Sequence, residues 1–343
     1  MRVGLSKKII TIFFAVVISL LTTEILLRIF GIGPWKNVFI NDSVNGKQIY
    51  TSDSTLGWRA KEGNFLFYPA NAKNKQFHIS IKKDGQRKTG KNNESIDGEI
   101  LVIGGSFSLG WGVNDEDTFS SKLQKKYNNF KVYNFGQAGY GSVQSLLLLE
   151  EKIPKMKSPK LAIYGFIEHH EYRNTARGQW LRTLAKYSRL GTVKTPYALI
   201  EKNNKLIIHP PIGYINLPLR ESSALITLFE KAYMKNISTK GFPRDSQRKK
   251  QQKLVTEEII LQMKEISNKF GADFVLVILD WSNNLTIDQY EIFFRENKIK
   301  FVNCKIPLVD EMVLLDDYHP SEKAHTYYKD CLVDYIKKQK LIL

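Results

Sequence analysis

Apolar and polar positions along this chain fall into three regimes. From Ile9 to Thr23 there is no charged residue, and apolar character resumes at Ile25-Leu26-Leu27 and Ile29-Phe30. Counted through Glu24 to Ile32, that stretch approaches the ~20 residues of a membrane helix. From Gly31 to about Gly98 the pattern is irregular and polar. Phe77–Ile81 alternates like a strand, and Lys83-Asp84-Gly85 reads as a turn. From about Asp97 onward, short apolar runs alternate with helical periodicity. The strands expected are Glu99–Ile103, Lys131–Asn134, Lys160–Phe166, Asp273–Leu279 and Lys300–Cys304. The helices expected between and after them are Thr118–Tyr127, Val143–Ile153, Gln251–Phe270, Ile287–Asn297 and Glu322–Lys337. Gly271 is a natural stop for the third of these helices. Alternation of this kind predicts an α/β fold, a doubly wound, flavodoxin-like parallel sheet covered on both faces.

This pattern divides the chain at three places. Residues 1–32 form a short tip and an apolar helix, 33–96 a linker with a small β-rich preface, and 97–343 the main domain. Within the last, residues of about 172–250 exceed what a minimal fold needs and read as an inserted, lid-like region. There, Ala198–Glu201 and Lys205–Ile208 are expected to pair as a hairpin, and the basic stretch Lys235–Lys253 reads as a solvated face or loop.

Charge and composition refine the picture. The 343 residues carry 51 Lys and Arg against 34 Asp and Glu, a formal net charge of +17, which favours an anionic neighbour such as phospholipid or acidic glycan. No nucleic-acid-binding motif is present, so nucleic acid is not an expected partner. Arg2, Lys7 and Lys8 precede the apolar helix and place the N-terminus in the cytoplasm. No small-x-small cleavage site follows, which favours an uncleaved signal anchor over a cleaved signal peptide. The remainder of the chain is then extracytoplasmic, on the outer (periplasmic) side of the inner membrane. Glu24 and Arg28, four residues apart, can pair at the outer end of the helix. Cys304 and Cys331 lack metal-ligand spacing, and the sequence leaves open whether they pair.

The candidate chemistry lies at the ends of strands. Leu101–Ile103 runs into Gly104-Gly105-Ser106, a buried strand that breaks into a turn with a serine at its mouth. In open α/β sheets ligands bind at the carboxyl ends of strands. Asp115 or Asp117 is positioned to cap the helix that follows. Near the C-terminus, Asp316-Asp317-Tyr318-His319-Pro320-Ser321 places two carboxylates before a histidine, with Ser321 as a cap for the last helix. If that loop returns to the first strand, His319 can take a proton from Ser106 while Asp316 or Asp317 holds the ring. A glycine of Asn134–Gly141 can present an oxyanion N–H, and Gly165–Asn174 is rich in side-chain donors.

From Asp97 to Ile336 these blocks resemble the SGNH (GDSL-like) hydrolase superfamily, and in particular its membrane-anchored bacterial branch. The resemblance implies Ser106 as nucleophile, Gly139 as an oxyanion glycine, His319 as base, and Asp316 or its rival Asp317 as the orienting acid. The chain departs from the family pattern twice. Gly105 stands where the family has aspartate, and His169 and His170 stand where it has the oxyanion asparagine, with no asparagine before Asn174. An imidazole N–H of His169 or His170 is expected to donate instead. The implied activity is that of an extracytoplasmic serine ester hydrolase acting, without metal or organic cofactor, on O-acyl esters of envelope or secreted glycans. The competing readings are an O-acyltransferase to a sugar hydroxyl and a non-catalytic glycan-binding protein that kept the fold.

Overall fold

Apolar residues, most of them valine, isoleucine and leucine, occupy successive positions of the runs at 100–103, 161–163 and 274–278, so these three strands bury both of their faces. A computed structural model describes residues 2–38, 48–68, 76–188, 193–201, 203–236, 242–284, 288–314 and 318–342. In chain order the elements are α1 (Arg2–Ile29), β1 (Tyr50–Asp53), β2 (Gly57–Ala60), β3 (Gly63–Phe67), β4 (Phe77–Ile81), β5 (Gly98–Gly104), α2 (Ser106–Leu109) and α3 (Phe119–Lys126). There follow β6 (Phe130–Asn134), α4 (Ser142–Lys152), β7 (Pro159–Phe166), α5 (His169–Asn174), α6 (Gly178–Tyr187), β8 (Lys194–Ile200), β9 (Leu206–Gly213) and α7 (Ala224–Asn236). The chain closes with α8 (Asp245–Lys269), β10 (Asp273–Ile278), α9 (Gln289–Glu296), β11 (Lys300–Asn303) and α10 (Glu322–Gln339).

The central sheet has the order β11-β10-β7-β5-β6, with every neighbouring pair parallel. Numbered by appearance within the sheet this is 2-1-3-4-5, the doubly wound arrangement whose crevice opens where the strand order reverses. Here the reversal lies between β5 and β7. Side-chain alternation along β5 then builds two cores. Ile100 and Val102 face α3 and α10, packing with Phe119, Leu123, Tyr328 and Leu332. Leu101 and Ile103 face the other layer, with Val143, Leu146, Ile259, Met263 and Tyr290. A disulfide joins Cys304, just after β11, to Cys331 in α10, with the Cα atoms 6.0 Å apart.

Several expectations need correction. Thr118, not Asp115 or Asp117, caps α3, its hydroxyl accepting from the Ser121 N–H. Asp115 is buried instead and accepts from the Ser80 N–H and from Arg87 Nε. In the basic stretch up to Lys253, Lys235, Arg244, Lys249, Lys250 and Lys253 are exposed as expected, and Arg248 is the exception among the described residues. α8 starts at Asp245, and Arg248 is fully buried, paired with Asp245 and donating to the Ala176 carbonyl. The expected hairpin forms, but as the longer β8–β9 pair.

Candidate active site

Ser106 is set at the carboxyl end of β5, beside the reversal in strand order. Gly104 ends the strand with φ +142, where an L side chain is strained and a Cβ would fall 2.3 Å from Ser108 Oγ. The chain then enters α2 at once, so the turn expected to carry the serine at its mouth is a single helical turn that begins with Ser106. As the first residue of a helix, Ser106 has no intrahelical acceptor for its N–H. Asn134 fastens this turn from the next strand, donating to the Ser108 carbonyl while its own oxygen accepts from the Gly136 N–H. Ser106 itself is buried.

His319 reaches the same end of the sheet from the loop before α10. The Leu314 N–H donates to its carbonyl at 2.7 Å, and Val313 and Pro320 form an antiparallel bridge. Ser321 caps α10 as expected, accepting from the Ala324 N–H. The His319 ring meets the edge of Phe107, the residue after Ser106, with centroids 5.7 Å apart. Phe107 in turn meets Trp281 at 5.5 Å. Asp316 and Asp317 lie outside the described residues.

The two histidines of the β7 loop differ in character. His170 is fully buried and stacks on Tyr164. Its Nδ1 is 2.6 Å from the Tyr164 hydroxyl, which donates its own proton to Ser142 Oγ at 2.7 Å. The phenol oxygen therefore accepts from His170 Nδ1–H, and this network assigns the lone pair to Nε2. Burial, then the charges of Arg173 and His169, hold its pKa well below that of an ordinary histidine, so the ring stays neutral. Nε2 has no hydrogen-bond partner among the described residues and faces Gly105, 2.8 Å from where a Cβ would stand. His169 sits on the solvent-facing rim. The protein packed about it and then the nearby Arg173 and His319 lower its pKa, so it too is neutral near pH 7. Asn174 is buried and fully committed. Its oxygen accepts from Ser142 N–H and Val143 N–H at the start of α4, and its nitrogen donates to Ser142 Oγ and Thr256 Oγ1.

Gly139 lies in the loop after β6 with φ +82. Its N–H donates to no group among the described residues. A Cβ there would stand 3.0 Å from the Trp58 ring and 3.4 Å from that of Trp180. Trp58 comes from β2 and its indole N–H donates to the Ala138 carbonyl at 3.1 Å. Trp180 comes from α6 in the insertion, and the Arg173 guanidinium lies 4.6 Å over its ring while donating to the Tyr140 carbonyl. Segments before β5 and between β7 and β10 thus both converge on the glycine loop. Asp280, two residues beyond β10, is buried and accepts from the Glu168 N–H at 2.7 Å, so it fixes the backbone next to His169.

Sequence reasoning missed Trp58, Arg173, Trp180 and Asp280 as parts of this neighbourhood. The aromatics were visible, but nothing in local periodicity says where they pack. Asp280 carried one signal, an acid just past the end of a predicted strand. Among the described residues no group of three or more His, Cys, Asp or Glu is placed to hold a metal ion.

No protein-family model and no curated protein matches the sequence. Solved structures similar to the chain include a member of the lipolytic protein G-D-S-L family from Veillonella parvula, with 10% identity over 70% of this chain and 98% of that one, TM-score 0.40. A psychrotrophic esterase EstA from Pseudoalteromonas shares 13% identity over 71% and 99%, TM-score 0.39. An active-site mutant of a family two carbohydrate esterase from Clostridium thermocellum shares 11% identity over 73% and 66%, TM-score 0.40.

Proposed function

We propose that the chain is a membrane-anchored serine ester hydrolase of SGNH type, with Ser106 as nucleophile and His319 as base. The observation that carries this reading is the meeting of Phe107 and His319 at the strand-order reversal. It brings together two segments more than two hundred residues apart, each bearing a group the chemistry needs. In the reaction, Ser106 Oγ attacks the ester carbonyl carbon as His319 takes its proton. The same proton then passes to the departing alcohol oxygen as the acyl-enzyme forms. Water repeats the sequence and releases the acid. Asp316 or Asp317 orients the imidazole and stabilises it when charged.

The developing oxyanion needs donors aimed at it. The N–H groups of Ser106 and Gly139 are two, since neither has an acceptor inside the described structure. His169 is the third. It is neutral, lies on the rim and is near His319, whereas the lone pair of His170 Nε2 suits an acceptor. Location supports the substrate class. Within α1, the 23 residues Lys7–Ile29 are long and apolar enough to cross a membrane, with mean hydropathy 2.4, and Arg2, Lys7 and Lys8 stand at the N-terminal end of the helix. The disulfide fits an oxidising compartment. An O-acylated glycan of the envelope, with acetyl as the simplest acyl group, is the substrate such a placement supplies.

The test is labelling of the full chain with a fluorophosphonate together with turnover of a chromogenic acetyl ester. Wild type is expected to be labelled and active; Ser106→Ala is expected to be neither. Ser106→Ala and His319→Ala should be about as damaging together as singly, because members of a triad act as a unit. Equal labelling of wild type and Ser106→Ala would refute the assignment.

A further inference from the structure

We propose that α7 and the turn before it form a membrane-interface foot, locked to α1 and resting on the bilayer that α1 spans. This inference rests on the reading of α1 as a membrane anchor. Its starting point is Glu24, an acid inside the apolar span, where a charge is costly unless paired. Glu24 is paired both within its helix and across to the folded domain. Arg28 Nε donates to it at 2.8 Å, and so do Ser223 Oγ at 2.8 Å, the Ala224 N–H at 2.8 Å and the Leu225 N–H at 3.0 Å. Arg28 also donates to the Ser222 carbonyl at 2.7 Å. The first backbone N–H groups of α7 have no acceptor inside their own helix. Glu24 takes two of them and Ser223 Oγ takes the next, from Ile226. The start of α7 is therefore held at the depth of Glu24, within the outer turns of the span.

What α7 exposes there suits lipid. Ala224, Thr227, Glu230 and Met234 turn inward to the insertion. Phe229, one turn beyond Leu225, is 57% exposed, and Leu219 in the preceding turn is 69% exposed. Lys231 and Lys235 are exposed alongside. At the end of α1, Ile29 and Phe30 are 71% and 77% exposed, so the apolar surface continues from anchor to foot. An apolar helical face flanked by lysines is the pattern of a helix lying in the headgroup region of anionic lipid. A helical turn rises only about 5.4 Å, so Phe229 cannot be far from the level of Glu24. The foot fixes the height and tilt of the catalytic edge over the membrane, which a single anchor on a free linker would not do.

The experiment uses the full chain in liposomes of phosphatidylcholine and phosphatidylglycerol. With the two native cysteines paired in the disulfide, single thiols can be introduced by Phe229→Cys, Phe13→Cys and Ile292→Cys and labelled with an environment-sensitive fluorophore. Phe13 is in the middle of α1, and Ile292 is an exposed apolar residue on α9, remote in sequence. The Phe229 probe is expected to emit to the blue of the Ile292 probe. It should also be quenched several-fold more by lipid carrying a spin label near the headgroup, since interfacial helices sit about 5–10 Å deep. The Phe13 probe should be quenched best by a label deep in the acyl chain. Phe229 and Ile292 probes that behave alike while Phe13 is deeply buried would overturn the foot and leave the anchor standing. A Phe13 probe in water would overturn both.

Discussion

Gly105 and His170 occupy one space between them. A methyl on Gly105 would sit 2.8 Å from His170 Nε2, and the imidazole cannot swing away because Tyr164 holds its other nitrogen. The glycine at 105 and the histidine at 170 are thus one physical event: the ring fills the room that a side chain at 105 would need. Gly105→Ala is expected to destabilise the fold by about 1–3 kcal/mol, the usual cost of overpacking. In the His170→Ala background the same change should cost much less, and denaturant unfolding of the four chains checks the cycle. Equal costs in both backgrounds would refute the coupling. His169 is expected to behave differently. His169→Ala should lower kcat by ~10²–10³ as an oxyanion donor would, while leaving stability nearly unchanged; wild-type turnover would remove it from the site.

At the scale of elements, α10 carries two further consequences. His325 is fully buried in it, and burial, then Arg87, Lys122 and His319, hold its pKa down from 6.5 to about 3. Unfolded, the same ring takes a proton below pH 6.5; folded, it does not until near pH 3. The unfolded state therefore binds more protons in this window, and stability rises with pH through it and is lost as pH falls. The buried His170 acts in the same sense. The Tm is expected to drop steadily from pH 6.5 toward pH 4, and less steeply in His325→Gln. An unchanged slope in that variant would show that other groups dominate. The Cys304–Cys331 bond also ties α10 to the sheet edge across a separation of 27 residues. Closing a loop of that size stabilises by roughly 3–4 kcal/mol on the chain-entropy account. Calorimetry with and without reductant should register the loss as a lower Tm.

For the whole molecule, the basic residues at the start of α1 and its apolar span carry the expectation about location. A reporter fused after Leu343 is expected to be active only when it needs the extracytoplasmic compartment. Activity of a cytoplasm-dependent reporter there would overturn the location and the glycan substrate together. The bonds between Glu24 and the start of α7 add a second expectation at this scale. Glu24→Ala leaves two helical N–H groups without their acceptor. The insertion should then become more accessible to protease around Leu219–Leu225 in the liposome-bound chain, and unchanged proteolysis would argue against the lock.

The sequence by itself determined the sheet. All five strands begin and end within one residue of their expected limits, because short apolar or alternating runs bounded by turn residues suit strands, the continuous runs of β5, β7 and β10 the three interior ones. It also determined the pairing of Glu24 with Arg28, the cap at Ser321 and the turn at Gly85, where side-chain reach or backbone freedom acts over a few residues. It placed Ser106 and His319 at strand and helix ends, though not beside each other. Tertiary structure decided the rest. The four residues of α2 are too short to show a period. Asp115 had the spacing of a cap, yet the buried Arg87 competes for it and wins. Arg248 looked like surface charge until Asp245 and the Ala176 carbonyl came within reach. The tautomer of His170, the space at Gly105, the convergence of Trp58 and Trp180 on Gly139 and the capping of α7 by Glu24 all join residues far apart in the chain. Local propensity and hydrophobic period act within about one turn or one strand, so contacts of that length are settled only when the layers pack.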